Sequence, residues 1–445
     1  MQATVRLLSL VLGLTACLLA GDAAAQSYQE HKIALVGGML LDGYEADPIH
    51  HAVVLVSGDS IVAVGTESEL EVPDGYEVID TSGRAMLPGL IDLHVHLTVL
   101  GHGDYGEWFP IFEEHPQEVM EISARQLLLA GVTTAADMGG PPGILNLRDR
   151  IDSGDVPGPR MHVSGPWITR VPLDVLPESF QHVVDSPAQA ADQARELVEA
   201  GVDLIKTWVG MREQDIRAVA EVADEAGIDV HSHLYREEAI WEAVRGGTDV
   251  IQHAGSAGEM PYSRELMREL AYRDIPVVPT MAHRIWVLPA TLVFPERLED
   301  PRLKSDFPAF IYQAVQESFE EPHRLGYFHT TPRQIRYAEK GAASQLIEAN
   351  LVVAMGTDSG TPANFHTEAA WREISAMVES GMSPIRAISA STKTPAEVLG
   401  VADEVGTIEP GKKADILVVK GNPLFDINAL GYVDFVVKGG RVYRR

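Results

Sequence analysis

From about residue 86 to residue 404 the chain alternates short, apolar, β-branched runs with longer stretches in which apolar residues recur every three to four positions. The first pattern suits strands buried on both faces and the second suits helices with one apolar side. Their alternation predicts βα units on a parallel sheet. Eight strands read in order are Leu90–His96, Thr133–Asp137, Met161–Gly165, Asp203–Trp208, Asp229–His233, Asp249–His253, Pro276–Thr280 and Val352–Asp358. The helices between them have legible ends. Ser186-Pro187 with Gln189 reads as an N-cap, a first-turn proline and a capping partner, and Gly201 closes that helix. Ile216, Val219, Ala220 and Ala223 fall at i, i+3, i+4 and i+7 before Gly227, and Ile240, Ala243 and Val244 repeat the spacing before Gly246-Gly247. Eight such units predict a (β/α)8 TIM barrel with its chemistry at the C-terminal strand ends. Ala282–Thr331 lacks a strand pattern and reads as a partly helical excursion over the barrel mouth.

The flanks differ. Residues 31–85 carry short, glycine-punctuated strands (Ile33–Val36, Ala52–Ser57, Ile61–Gly65, Val78–Asp80), and 405–445 carry more (Asp415–Val419, Val433–Lys438, Arg441–Tyr443). Neither flank is long enough for a good core alone. The expected organisation is one small β-sandwich formed by the N- and C-terminal segments, 28–85 with 405–445, and an α/β barrel at 86–404 inserted between them. Residues 1–25 read as a signal peptide: Arg6, the apolar run Leu7–Ala20, then Ala23-Ala24-Ala25 as the cleavage site. The run stops at Asp22, short of the about 20 apolar residues a membrane span needs. Leu14-Thr15-Ala16-Cys17 also looks like a lipobox, which leaves a lipid anchor at Cys17 as the alternative, although Leu18-Leu19-Ala20 continues the apolar run where a polar tether belongs. The expectation is an exported protein, periplasmic or secreted, without a membrane span.

Charge and cysteine usage narrow the chemistry. With 35 Lys+Arg against 64 Asp+Glu the net charge is −29, which repels nucleic-acid backbones and anionic lipid. The single cysteine, Cys17, excludes an internal disulfide, a thiolate zinc finger and an iron–sulfur cluster. Cleavage after Ala25 removes it, so any metal must be held by nitrogen and oxygen.

Candidate ligands stand at the strand ends. In Asp92-Leu93-His94-Val95-His96 the two histidines are two apart and share a face, pointing into the barrel as a metal chelate. Lys206 points inward beside Leu204 and Trp208. An ammonium there is either paired with a barrel carboxylate or desolvated toward the neutral amine, which adds carbon dioxide to become a carbamate and so an anionic oxygen ligand. His231-Ser232-His233, Gln252-His253 and Gly356-Thr357-Asp358 end three further strands. Core packing does not align five histidines, a lysine and an aspartate at one rim.

These stretches resemble the amidohydrolase superfamily, in its imidazolonepropionase-like and Xaa-Pro dipeptidase-like branch. The matching runs are Leu87-Pro88-Gly89-Leu90-Ile91-Asp92-Leu93-His94-Val95-His96, Ile205-Lys206, Val230-His231-Ser232-His233, Asp249-Val250-Ile251-Gln252-His253, Gly356-Thr357-Asp358 and Gly406-Thr407-Ile408-Glu409-Pro410-Gly411-Lys412-Lys413-Ala414-Asp415, and the likeness runs from about residue 31 to the C-terminus. The resemblance implies two divalent ions: one on His94, His96 and Asp358, the other on His231 and His253, bridged by carbamylated Lys206. Nitrogen and oxygen ligation suits zinc best, with manganese or another divalent metal as the alternative. It implies hydrolysis by a metal-bridging hydroxide, with Asp358 as general base and then general acid. His233 and Tyr235 are then substrate-contact candidates, or rim hydrogen-bonding residues.

The chain departs from that pattern after the third strand. Where the branch often carries Gly-Gly-His, this chain reads Gly165-Pro166-Trp167-Ile168-Thr169-Arg170-Val171-Pro172, which puts the dipeptidase-type carboxylate clamp in doubt. Arg170 is either a replacement cation for an anionic substrate or an exposed loop arginine, and His366 is a further candidate for the mouth. The expected function is hydrolysis of an amide or peptide C–N bond in a small peptide or N-acyl compound. A cyclic-amide hydrolase of the imidazolonepropionase type, or a deaminase, is the alternative, although deaminases usually replace the bridging lysine. A non-catalytic barrel is disfavoured because every expected ligand position is filled. A homo-oligomer is left open.

Overall fold

The computed structural model describes residues 31–256, 261–338 and 342–444. The signal-peptide expectation, with Cys17, lies outside the described residues. Among those residues no helix is long and apolar enough to cross a membrane.

The chain opens with β1 (Lys32–Leu40), β2 (Ile49–Ser57), β3 (Ser60–Thr66), β4 (Glu77–Asp80) and β5 (Arg84–Pro88). It closes with three antiparallel strands, of which the first, Ile416–Lys420, pairs onto β5 in the register Leu417 to Leu87 and Val418 to Met86. Both ends therefore enter one eight-stranded sheet. Its inner face shows why: Ile33, Leu35, Val54 and Val56 from one end pack with Met86 and with Ile416, Val418 and Phe435 from the other. Neither set makes a core alone. Arg84–Pro88 was not anticipated as a strand. It is the seam, since its apolar run pairs with the C-terminal segment on one side and β1 on the other.

The middle of the chain is an α/β fold of parallel strands. β6 (Leu90–Val95), β7 (Val132–Asp137) and β8 (Arg160–Val163) form one parallel sheet. A second runs from β9 (Trp167–Thr169) and β10 (Gln181–Val183) through β11 (Leu204–Thr207), β12 (Asp229–His233) and β13 (Val250–Gln252) to β14 (Val277–Val278). On one side Asp203 N–H donates to Val163 O at 2.9 Å. On the other, residues 352–358 bridge the sheets: Val277 N–H donates to Val352 O, and Leu93 N–H donates to Met355 O. The eighth expected strand is thus extended but irregular, with an isolated bridge at Val353 in place of a ladder.

The reason lies at Gly356. A Cβ there would sit 2.2 Å from Val278 Cγ1 and 2.9 Å from His94 Cβ, so the backbone passes where no side chain fits. Gly356→Ala is expected to lower unfolding free energy by about 1–3 kcal/mol, as overpacking does, which denaturant titration would measure. The intervening helices end as their caps predict. Ser186 Oγ accepts from Gln189 N–H before the helix Pro187–Ala200, and Gly201, Gly227 and Gly247 adopt positive φ at three C-termini. Ala282–Thr331 is helical throughout its regular parts, with a π-helical turn at His283–Val287.

Candidate metal centre and active site

Parallel pairing sets the candidate ligands side by side. Lys206 on β11 is in register with His231 on β12, and His233 with Gln252 on β13. His94 lies in β6 and His96 one residue beyond it. His253 sits just past β13 and Asp358 ends the 352–358 segment, both at positive φ (72° and 58°), as is Thr280 (48°) just past β14. Non-glycine residues there carry strain of about 1–3 kcal/mol, which a fold tolerates where a side chain must be aimed.

The aimed groups converge. Asp358 Oδ1 is 3.3 Å from His96 Nε2 and 3.6 Å from His94 Nε2. One ligand atom from each of these three residues lies within 4.8 Å of the others. His253 brings its ring to 4.4 Å from that of His94. The Nε2 atoms of His94, His231 and His253 and the Nζ of Lys206 are buried without a hydrogen-bond partner. Each such orphan costs about 1–3 kcal/mol, so four of them at one strand-end rim fit a centre that holds cations.

Protonation states agree with that use. Burial pushes the imidazoles of His94 and His253 well below their ordinary value and that of His231 to about 3, leaving all three neutral. Burial also lowers Lys206 to about 7, only partly offset by the Asp358 charge. Asp358 runs the other way: burial would raise it, but hydrogen bonds from His283 and His96 hold it well below the usual carboxylate range. Below the rim Asp92 accepts from His94 N–H, Thr357 N–H and Thr357 Oγ1. It thereby ties the first strand to the 352–358 segment.

Gln252 was quoted in the sequence only as a neighbour of His253. Its Oε1 lies 2.7 Å from His94 Nδ1, and its Nε2 lies 2.9 Å from His231 Nδ1. An oxygen facing His94 Nδ1 puts the ring proton there and leaves the Nε2 lone pair for a metal. The amide nitrogen donates to His231 Nδ1, so that ring holds the opposite tautomer. Thr280 Oγ1 meets His253 Nδ1 at 2.9 Å. Because positive φ at His253 interrupts strand alternation, Gln252 and His253 both reach the centre. Gln252→Leu is expected to weaken metal affinity about 10–100-fold, measured by competition with a chromophoric chelator.

Comparison with known proteins places this geometry. Residues 85–443 match the sequence profile described as Amidohydrolase family. The chain belongs to the amidohydrolase family. Among its relatives, an imidazolonepropionase of Porphyromonas gingivalis is 23% identical over 423 residues, covering 88% of this chain and 89% of the relative. A 5-methylthioadenosine/S-adenosylhomocysteine deaminase of Symbiobacterium thermophilum is 22% identical over 417 residues, covering 87% and 85%. The crystal structure of a Xaa-Pro dipeptidase with methionine bound in its active site superposes with a TM-score of 0.71 at 25% identity, covering 93% of this chain and all of that one. The branch expected from the motifs is therefore the right one. As an amidohydrolase the chain is a hydrolase acting on C–N bonds, with a divalent-metal site to which the His94–His96–Asp358 cluster corresponds.

The remaining candidates divide. His233 and Tyr235 line the amidohydrolase's cavity beside His96 and Asp358. Arg170 does not line it: its guanidinium is spent on Asp215, at 2.5 and 2.7 Å, and on Asp185 O. His366 does not either. Its ring is buried, with Nδ1 2.8 Å from Ser359 Oγ and Nε2 3.2 Å from Val99 O. Both expectations are corrected for one reason, since a polar side chain near a strand end bonds to whatever the loop path brings closest. His283, which reaches Asp358 Oδ2 at 3.7 Å, and Arg284, which lines the cavity, come from the excursion where no motif pointed to them.

Proposed function

We propose that this amidohydrolase is an exported enzyme that hydrolyses the amide or peptide C–N bond of a small peptide or N-acyl compound at a two-ion centre. The observation that carries the reading is the set of buried, unpartnered atoms of His94, His231, His253 and Lys206 at the strand ends, beside the cluster that His94, His96 and Asp358 form. His94, His96 and Asp358 would hold one ion, and His231 and His253 the other. His231 would offer Nε2, which requires the ring proton to leave that nitrogen, because Gln252 Nε2 donates to Nδ1 in this structure. Lys206 would bridge as a carbamate: its neutral amine forms an N–C bond to carbon dioxide and releases one proton. A divalent ion, zinc by its ligand type, supplies Lewis acidity that lowers the pKa of water and polarises a carbonyl oxygen.

Asp358 carries the proton. Held ionised, it takes a proton from the attacking water and returns it to the nitrogen that leaves. His233 and Tyr235 line the space the substrate fills. We further infer that the parallel strands close into a (β/α)8 barrel over 86–404, inserted into a sandwich of 28–85 and 405–445. The Asp203–Val163 and Val277–Val352 hydrogen bonds at the seams support this. Export rests on the signal-peptide reading of residues 1–25, and places the protein in the periplasm or outside the cell.

The sequence relatives favour a second reading, cyclic-amide hydrolysis or deamination. One experiment separates the two: metal-loaded protein is screened against dipeptides, N-acyl amino acids, lactams and amino-purines, with elemental analysis of the same samples. Hydrolysis of acyclic amides by protein carrying about two divalent ions per chain is expected. Full activity in metal-free protein, or turnover confined to lactams or purines, would sink the first reading.

A further inference from the structure

Behind the centre lies a carboxylate that the chemistry above does not use. Glu373, on the helix Ala369–Glu379, is fully buried. Its Oε1 accepts from Met281 N–H at 2.8 Å and its Oε2 from Ala282 N–H at 2.7 Å. Among the described residues it makes no ion pair, and burial pushes its carboxyl up to about 8 while the two amide donors pull it down. A buried acid bonded only to backbone amides is costly, and its worth must lie in what those amides belong to.

Met281 and Ala282 are the first helical residues of the excursion over the mouth. The first N–H groups of a helix have no partner within it, and both residues are buried away from water. A carboxylate from another helix fills that place, with a charge that suits the positive end of the turn. The residues on either side of this clamp both touch the centre. On one side, Thr280 holds Oγ1 2.9 Å from His253 Nδ1. On the other, His283 brings Nδ1 to 3.7 Å from Asp358 Oδ2, and its Nε2 lies 3.0 Å from Pro362 O. Thr280 sits at a φ of 48°, which a β-branched residue keeps only where its surroundings impose it. Pinning the Met281 amide fixes the plane of the peptide that follows Thr280. Glu373 is not among the described residues lining the cavity, so it acts through these neighbours and not on a substrate.

We propose that Glu373 is a positioning residue: by holding the amides of Met281 and Ala282 it keeps Thr280 on His253 and His283 against Asp358. The inference rests on the reading of His253 as a ligand and of Asp358 as the proton carrier. A shift of that turn by about 1 Å misaims both groups and leaves the cavity wall in place.

The test uses full-length Glu373→Gln, which keeps the volume but turns an NH2 group toward one of the two backbone N–H donors. Zinc affinity, measured by competition with a chromophoric chelator, is expected to fall about 10–100-fold. On whichever substrate the wild type cleaves, kcat is expected to fall about 10²-fold with KM within about threefold of wild type. A double-mutant cycle with Thr280→Ala separates aiming from general destabilisation. If Glu373 works through Thr280, the double variant binds zinc within about threefold of the weaker-binding single variant. Fully additive losses, or unchanged zinc affinity in folded Glu373→Gln, overturn the inference. If Glu373→Gln does not fold, Glu373→Asp, which keeps the charge on a shorter stem, is measured in the same way. An unfolded Glu373→Asp makes the residue structural and also overturns the inference. Should the wild type hydrolyse no acyclic amide, the hydrolytic reading alone fails, and zinc affinity still decides the role of Glu373.

Discussion

Replacing Asp358 by asparagine is expected to lower kcat/KM by about 10³-fold while leaving the fold intact. The two side chains are nearly isosteric, and asparagine accepts the positive φ of 58° that this position requires. What changes is chemistry. Burial opposes the charge of Asp358, yet hydrogen bonds from His283 and His96 keep it ionised, so the protein maintains a buried anion at the meeting point of His94 and His96. An amide has no charge to give an ion and cannot take up the proton of an attacking water. The measurement is kcat/KM on any substrate the wild type cleaves, with thermal unfolding followed by circular dichroism in parallel. Activity within tenfold of wild type, with metal content unchanged, would show that Asp358 does not carry the proton. Loss of activity together with loss of the folded transition would make its role structural.

Lys206→Met tests the proposed pair of ions. Methionine matches the length of the lysine stem and suits the fully buried position. The buried amine has no hydrogen-bond partner and burial pushes it down to about 7, so its removal is expected to leave unfolding free energy unchanged or raised. Bound metal should fall from about two ions per chain to about one, because His94, His96 and Asp358 remain while the bridging ligand is gone. kcat/KM should drop about 10²–10³-fold, the equivalent of the several kcal/mol a Lewis-acidic ion contributes to a transition state. Bicarbonate should speed reconstitution of the wild type and not of the variant. A variant that keeps both ions and its activity would eliminate the carbamate.

The candidate ligand positions were legible because strands impose a two-residue period. His94 and His96 declare themselves as a pair, His231 and His233 repeat that spacing, and Lys206 follows Leu204-Ile205. The helix ends were legible because caps are local: Ser186, Gly201 and Gly227 act within a few residues of themselves. Arg84–Pro88 does not announce itself as a strand because its full-length partner lies more than 300 residues away, at Ile416–Lys420, while β1 meets it at only two positions. Trp167–Thr169 and Gln181–Val183 were missed because three-residue strands carry no period.

Side-chain type and spacing along each strand thus determined which residues are candidate ligands and which family the chain joins, since both are properties of short segments. Only the tertiary structure decided how the centre is held and what stands over it. Gln252 reaches His94 across 158 residues and His231 across 21. The cavity wall takes Phe109, Phe180, Trp208 and Arg284 from four separate stretches of chain. Arg170 and His366 found Asp215 and Ser359. Contacts of this kind depend on register between strands and on the paths of loops, which arise from packing the whole chain at once and leave no periodic trace in any one part of it.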